Sequence, residues 1–259
     1  MIYIILLLVL VLIIIYGIYT SYSYFQNTCL NCTSNCTSNC TSIKNTDPLR
    51  PHHPQWYKNL PENDAQVQQF YKESEKFALT TPKYTVLGYK KIKMPLEVFD
   101  YLKKVCSKQS RIKENHKNIF PRSSSGLPPY IIPIDETKKI WLEEQLKPIM
   151  EKWANLPLTH IATYGPREYR KTSALRMHVD QETHIISCIL NISQEGCKKP
   201  WALRVKGHDR ITKDIFMEPG DMVLYESRTV MHGRPDPCPC DYYVNIFMHW
   251  YPTDDQTIR

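Results

Sequence analysis

From His160 onward the chain breaks into short segments rich in β-branched and aromatic residues, separated by Gly, Pro and Asn: 161–164, 174–177, 184–191, 201–205, 211–216, 222–225 and 242–250. Seven strands at that spacing predict a sandwich or barrel. Pro219-Gly220 predicts a turn, and the strand after it carries the chain towards His232 in a loop at its end. Ahead of His160 the period changes. Residues 84–92 alternate as a strand, and Pro95 opens a helix with Leu96, Phe99, Leu102 and Val105 on one stripe. A second helix, 136–153, offers Ile140, Trp141, Ile149, Met150 and Trp153 for packing, with Pro148 expected to kink or interrupt it. These helices are expected to cover one sheet, their aromatic side chains buried as core.

The first sixty residues follow another pattern. Ile2 to Ile18 is an uncharged apolar run of 17 residues, with Tyr3, Tyr16 and Tyr19 near its ends, and reads as one membrane-spanning anchor. A cleaved signal peptide is the rival, with Ser21-Tyr22-Ser23 as its cleavage site, but the run lacks a positive leading region. Asn31, Asn35 and Asn39 each begin an Asn-Cys-Thr sequon, which a lumenal placement turns into three glycan acceptors. The accompanying Cys29, Cys32, Cys36 and Cys40 suit a metal, disulfides, palmitate or a duplicated low-complexity spacer. Prolines at 48, 51, 54 and 61 place the domain boundary, giving an anchor (1–20), a stem (21–60) and a folded domain (61–259). His52-His53 in this coil reads as a solvated pair.

Composition, at 42% hydrophobic and 23% charged, is that of a folded domain, and 259 residues allow one substantial core. The formal charge of +7 is spread out. The basic residues from Lys90 to Lys113 read as a solvated face, and with no nucleic-acid motif a nucleic-acid partner is not expected. Type II glycosyltransferases share the anchor, stem and domain layout, but the chain has no Asp-x-Asp motif.

The candidate chemistry lies in Leu175 to Asp180. In an extended segment His178 and Asp180 leave the same face, so an imidazole and a carboxylate converge. His232 is the candidate third ligand of a two-histidine, one-carboxylate set that holds non-haem Fe(II) and leaves positions open. His184, four after Asp180, keeps to the ligand face and is a candidate pocket residue, whereas His249 is assigned to packing.

Around these residues, Tyr164 to Arg170 reads Tyr-Gly-x-Arg-x-Tyr-Arg, His178 to Asp180 reads His-Val-Asp, and His232 to Pro235 reads His-Gly-Arg-Pro. Tyr243, Asn245, Phe247 and His249 then follow at every second position. In these motifs the stretch 164–252 resembles the prolyl 4-hydroxylase-like branch of the 2-oxoglutarate and Fe(II)-dependent oxygenases. The resemblance implies a mainly β fold with flanking helices around a double-stranded β-helix (jelly-roll) core, with iron at its mouth and 2-oxoglutarate as co-substrate. Ascorbate is the expected reductant. It also implies hydroxylation of a C–H bond, with a protein or peptide side chain such as proline as the leading substrate and a small molecule or glycan still open. The family's usual basic residue, nine to eleven positions after the distal histidine, is missing: Asp241, Tyr242 and Tyr243 stand there. Arg234, Arg170 and Arg176 are therefore the candidate anchors for the far carboxylate, with Tyr164 or Tyr243 supplying a hydroxyl. A non-catalytic interaction module on the same sandwich is the remaining alternative. Cys238 or Cys240 is a candidate disulfide partner for Cys197 in an oxidising compartment.

Overall fold

The computed structural model describes residues 61–114, 121–123 (backbone only) and 129–253. Of the two compact units into which the chain divides, Met1–Thr46 and Asp47–Arg259, only the second holds described residues. The anchor read at residues 2–18, the sequons, the stem cysteines and His52-His53 all lie outside them. Among the described residues no helix is long and apolar enough to cross a membrane.

Among the described residues three helices precede or flank the strands: α1 (Ala65–Thr80), α2 (Leu96–Lys108) and α3 (Glu136–Ala154). Asp64 and Asp135 cap α1 and α3, their carboxylates accepting from the backbone N–H groups of Gln66 and Lys138. The strands are β1 (Tyr89–Lys93), β2 (Ile112–Lys113), β3 (Pro121–Ser123), β4 (Tyr130–Ile131), β5 (Leu158–Arg170) and β6 (Ser173–His178). Then come β7 (Ile186–Glu195), β8 (Leu203–Lys206), β9 (Thr212–Ile215), β10 (Asp221–Tyr225), β11 (Met231–Arg234) and β12 (Tyr242–Pro252). One sheet has the order β1-β10-β7-β12-β5-β4-β2 and the other β3-β6-β11-β8-β9. All pairings are antiparallel. From β5 to β12 the chain crosses repeatedly between the two sheets, an arrangement consistent with a jelly-roll core.

The larger sheet is buried on both faces, and its sequence alternates between two kinds of burial. Val244, Ile246, Met248 and Trp250 of β12 pack with Ile186, Cys188 and Leu190 of β7 and Met222 and Leu224 of β10. Val98 and Leu102 of α2 and Leu142, Leu146 and Met150 of α3 close this layer from outside. The intervening residues, Tyr243, Asn245, Phe247 and His249 on β12 and Ser187, Ile189 and Asn191 on β7, therefore point the other way, towards the second sheet. Helix α1 covers the second sheet through Phe77, which packs with Val179 and Met231.

Several expectations need correction. The strand expected over 84–92 starts only at Tyr89, because Glu226 draws Tyr84 and Thr85 out of any ladder by accepting their N–H groups at 2.9 and 2.7 Å. Leu96 and Ile140 are exposed, and Val98, Cys106, Leu142 and Leu146 take the core positions. Pro148 does not break α3. Pro148 and Glu144, whose carbonyl loses its amide partner, both lie on the exposed side, where water serves that carbonyl. His232 is not in a loop but in β11, a strand inserted between β6 and β8. The Pro219-Gly220 turn is as expected, with Gly220 at φ 92° and the Asp221 N–H donating to Glu218 O at 2.8 Å.

Candidate metal centre and anion pocket

His178 ends β6 and pairs directly with His232 of β11, so their rings face each other with centroids 4.4 Å apart. Asp180 lies two residues beyond His178, its N–H donating to Ser227 O at 2.8 Å and its carbonyl accepting from Arg228 Nη1 at 2.7 Å. One carboxylate oxygen, Oδ1, then stands 3.6 Å from His178 Nε2 and 3.7 Å from His232 Nε2. One donor atom from each of the three residues falls within 4.8 Å of the others. The strands come this close because the residue between His232 and Arg234 is glycine. A Cβ on Gly233 would lie 2.6 Å from Arg176 O, at the point where the β6–β11 register shifts.

The hydrogen bonding selects the ligating form of each histidine. His178 Nδ1 is 2.7 Å from Arg176 O and His232 Nδ1 is 2.9 Å from Val230 O. A carbonyl only accepts, so both Nδ1 atoms carry the proton and both Nε2 lone pairs point to Asp180. Burial pushes His232 down to about 4, with His178 adding to the shift and Asp180 opposing it. Burial would raise Asp180, but His232, His178 and His249 together outweigh it and hold the carboxyl well below the usual range. An uncharged His232 and an ionised Asp180 are the forms that bind a divalent cation, and His178 presents its Nε2 to the same point. The donor set therefore fits a metal.

Two residues further along β11 is Arg234, 2% exposed. Its guanidinium lies 4.6 Å from the centroids of both Trp201 and Tyr243, donates through Nη1 to Trp201 O at 2.7 Å, and reaches Tyr243 Oη at 3.4 Å through Nη2. With the Asn245 amide turned to suit its neighbours, its oxygen accepts from Nη2 at 3.3 Å. None of these partners is a carboxylate. Tyr169 packs against the other side of Trp201, at 5.3 Å between centroids, fully buried with an Oη that makes no hydrogen bond. Among the described residues Arg234 meets no acid and Tyr169 Oη makes no hydrogen bond, and buried groups of this kind are costly unless an anionic ligand meets them.

Of the proposed anchors, the structure brings only Arg234 and Tyr243 together. Arg170 is turned to the Glu168 carboxylate, which also accepts from Arg111 Nε at 3.1 Å. Arg176 meets Glu62 at 3.1 Å, beside α1, and Tyr164 is 45% exposed against the rings of His184 and His249. Tyr169 was not among the candidates although it is the second tyrosine of the quoted Tyr-Gly-x-Arg-x-Tyr-Arg motif. His249, assigned to packing, has Nδ1 3.5 Å from Asp180 Oδ2, and its alternation with Tyr243, Asn245 and Phe247 was the available signal. Cys240 rather than Cys238 pairs with Cys197, leaving Cys238 reduced and buried.

No protein-family model matches the chain, and no curated protein matches it. The solved structures similar to it are prolyl 4-hydroxylase-like and other 2-oxoglutarate and Fe(II)-dependent oxygenases. They include a Pseudomonas putida prolyl-4-hydroxylase, at 14% identity over 68% of this chain and 98% of that one, TM-score 0.45. Another is HygX from Streptomyces hygroscopicus with nickel, 2-oxoglutarate and hygromycin B bound, at 12% identity over 65% and 84% of the two chains, TM-score 0.47. A third is a prolyl hydroxylase from Trichoplax adhaerens in complex with a hypoxia inducible factor peptide fragment, at 12% identity over 74% and 94%, TM-score 0.47.

Proposed function

We propose that this chain is a hydroxylase that uses Fe(II) and 2-oxoglutarate within a double-stranded β-helix. The observation that carries the reading is on β11: His232 of the three-donor cluster and the acid-free Arg234 are two residues apart on one strand. That spacing is roughly 7 Å along a strand, about the reach of a short dicarboxylate from a metal to a guanidinium. His178 Nε2, His232 Nε2 and Asp180 Oδ1 hold the metal, and Arg234 pairs with the far carboxylate of the oxoacid through its planar fork. Tyr169 and Tyr243 add hydroxyls at that end. Between the two ends Ile189 and Phe247 form an apolar belt that keeps water from the bound co-substrate. When bound, iron and oxoacid supply oxidation of a C–H bond coupled to decarboxylation of the oxoacid to succinate, with ascorbate as reductant.

The substrate of this reading is a protein or peptide side chain such as proline, or a small molecule, entering past the half-exposed ring of Tyr164. The run at 2–18 makes the chain a single-pass membrane protein, and the Cys197–Cys240 disulfide favours a lumenal domain.

Succinate release from 2-oxoglutarate by the full chain, with Fe(II) and ascorbate, tests the reading. Asp180→Ala is expected to abolish metal-dependent turnover. Arg234→Gln is expected to raise the KM for 2-oxoglutarate about 10- to 100-fold, the loss of a charge-assisted hydrogen bond. Full activity in Asp180→Ala overturns the proposal.

A further inference from the structure

We infer that His249 is a positioning residue for Asp180, its ring held in place as the first donor of a one-directional hydrogen-bond chain running through Ser187 and Ser227 to the carbonyl of His184. The inference rests on the metal centre proposed above and extends it to residues of β7 and β12. Its evidence is a set of contacts that only one arrangement of protons satisfies.

Ser227 Oγ donates to the carbonyl of His184 at 2.7 Å. That uses its single proton, so the 2.6 Å contact between Ser187 Oγ and Ser227 Oγ requires the proton of Ser187. Ser187 then has none left for the 2.7 Å contact to His249 Nδ1, and the proton there must belong to the imidazole. His249 Nδ1–H is therefore fixed as a donor. With that proton given to Ser187 Oγ, the ring is held so that Nδ1 stands 3.5 Å from Asp180 Oδ2, a contact and not a hydrogen bond, and Oδ2 is a buried oxygen with no hydrogen bond among the described residues.

The consequence is an asymmetric carboxylate. The edge of the His249 ring, fixed in place by its bond to Ser187, backs Oδ2 on the strand side, which leaves Oδ1 turned towards the Nε2 atoms of His178 and His232. His249 and Ser187 are direct partners across β12 and β7, so the donor is set by sheet register and not by a loop. The chain also closes on the ligand itself, because Ser227 O accepts the backbone N–H of Asp180 at 2.8 Å. Outer hydrogen bonds of this kind orient ligating groups, and their loss costs about 10- to 100-fold in metal affinity.

Cobalt(II) titration of the full chain without oxoacid, followed by its visible ligand-field bands, reads the effect separately from turnover. His249→Leu and Ser187→Ala are each expected to weaken Co(II) binding about 10- to 100-fold and to alter the bands, whereas His249→Asn, which keeps an N–H donor, recovers much of the affinity. Thermal melts of the metal-free variants separate loss of fold from loss of positioning. Should His249→Leu fail to fold, the smaller Ser187→Ala change decides. Binding by wild type together with unchanged affinity and bands in Ser187→Ala overturns the inference alone, and so does His249→Asn binding no better than a folded His249→Leu. Absence of Co(II) binding by wild type removes the metal centre and this inference with it.

Discussion

Asp180 and its histidines share one buried volume, and burial governs the protonation of His232 and His249. His232 is pushed down to about 4 and His249 to about 3, in both cases by burial first, so both are neutral in the folded, metal-free protein. In the unfolded chain a histidine titrates near 6.5. Between those values the unfolded state binds more protons, so stability is fully present above pH about 6.5 and is lost as pH falls. The depressed carboxyl of Asp180 acts in the same sense at lower pH. At pH 5 each histidine is expected to remove about 2 kcal/mol relative to pH 7.5. Urea unfolding of the chelator-treated protein at the two pH values measures this, and His249→Asn should reduce the difference by about half. A wild-type midpoint that does not move would mean that these imidazoles are solvated in the folded state.

At the scale of elements, the site depends on two connections that the sequence marks only by their cysteines. The segment before β8 carries Trp201, whose carbonyl holds Arg234, and the segment before β12 leads into Tyr243. The Cys197–Cys240 bond staples these two segments across 43 residues. Chain-entropy arguments for a loop of that size give a stabilisation of about 4 kcal/mol, the upper end of what disulfides usually contribute. Cys240→Ala is therefore expected to lower the unfolding free energy by that amount and to weaken 2-oxoglutarate binding, with Co(II) affinity at the histidines kept. Loss of cobalt binding instead would show that the staple supports the metal end. How much of this was legible follows from the kind of signal each element carries. β7, β10 and β12 are long or strongly apolar and could be read directly, as could α2 and α3. β11 is four residues with a central glycine, and it is a strand only because β6 and β8 flank it. His178, Asp180 and His232 were visible as residue types at telling positions. The choice among Arg234, Arg170 and Arg176 was not, because it depends on which arginine finds an acid: Glu168 and Glu62 take two of them, through contacts far apart in sequence.

For the whole molecule, the proposed anchor at residues 2–18 is tested by two independent features that would report the side of a membrane the domain occupies, and they have to agree. In the proposed lumenal placement the Cys197–Cys240 disulfide is kept oxidised. The sequons at Asn31, Asn35 and Asn39 become glycosylated only if the stem is in the same compartment. A fourth sequon, Asn191-Ile192-Ser193, offers no acceptor in the folded domain. Asn191 is fully buried and donates to Tyr243 Oη and Met217 O, both at 3.0 Å. The expected result in a eukaryotic secretory host is therefore a ladder of up to three endoglycosidase-sensitive forms, collapsed to one band by Asn→Gln at 31, 35 and 39 together. Residual sensitivity in that triple variant would mean that Asn191 is modified before β7 closes into the sheet. An endoglycosidase-insensitive chain whose Cys197 and Cys240 react freely with a thiol reagent would put the domain on the reducing side. Arg234 and Trp201 would then have to hold their geometry without the covalent link, and the 2-oxoglutarate affinity of Cys240→Ala would equal that of wild type.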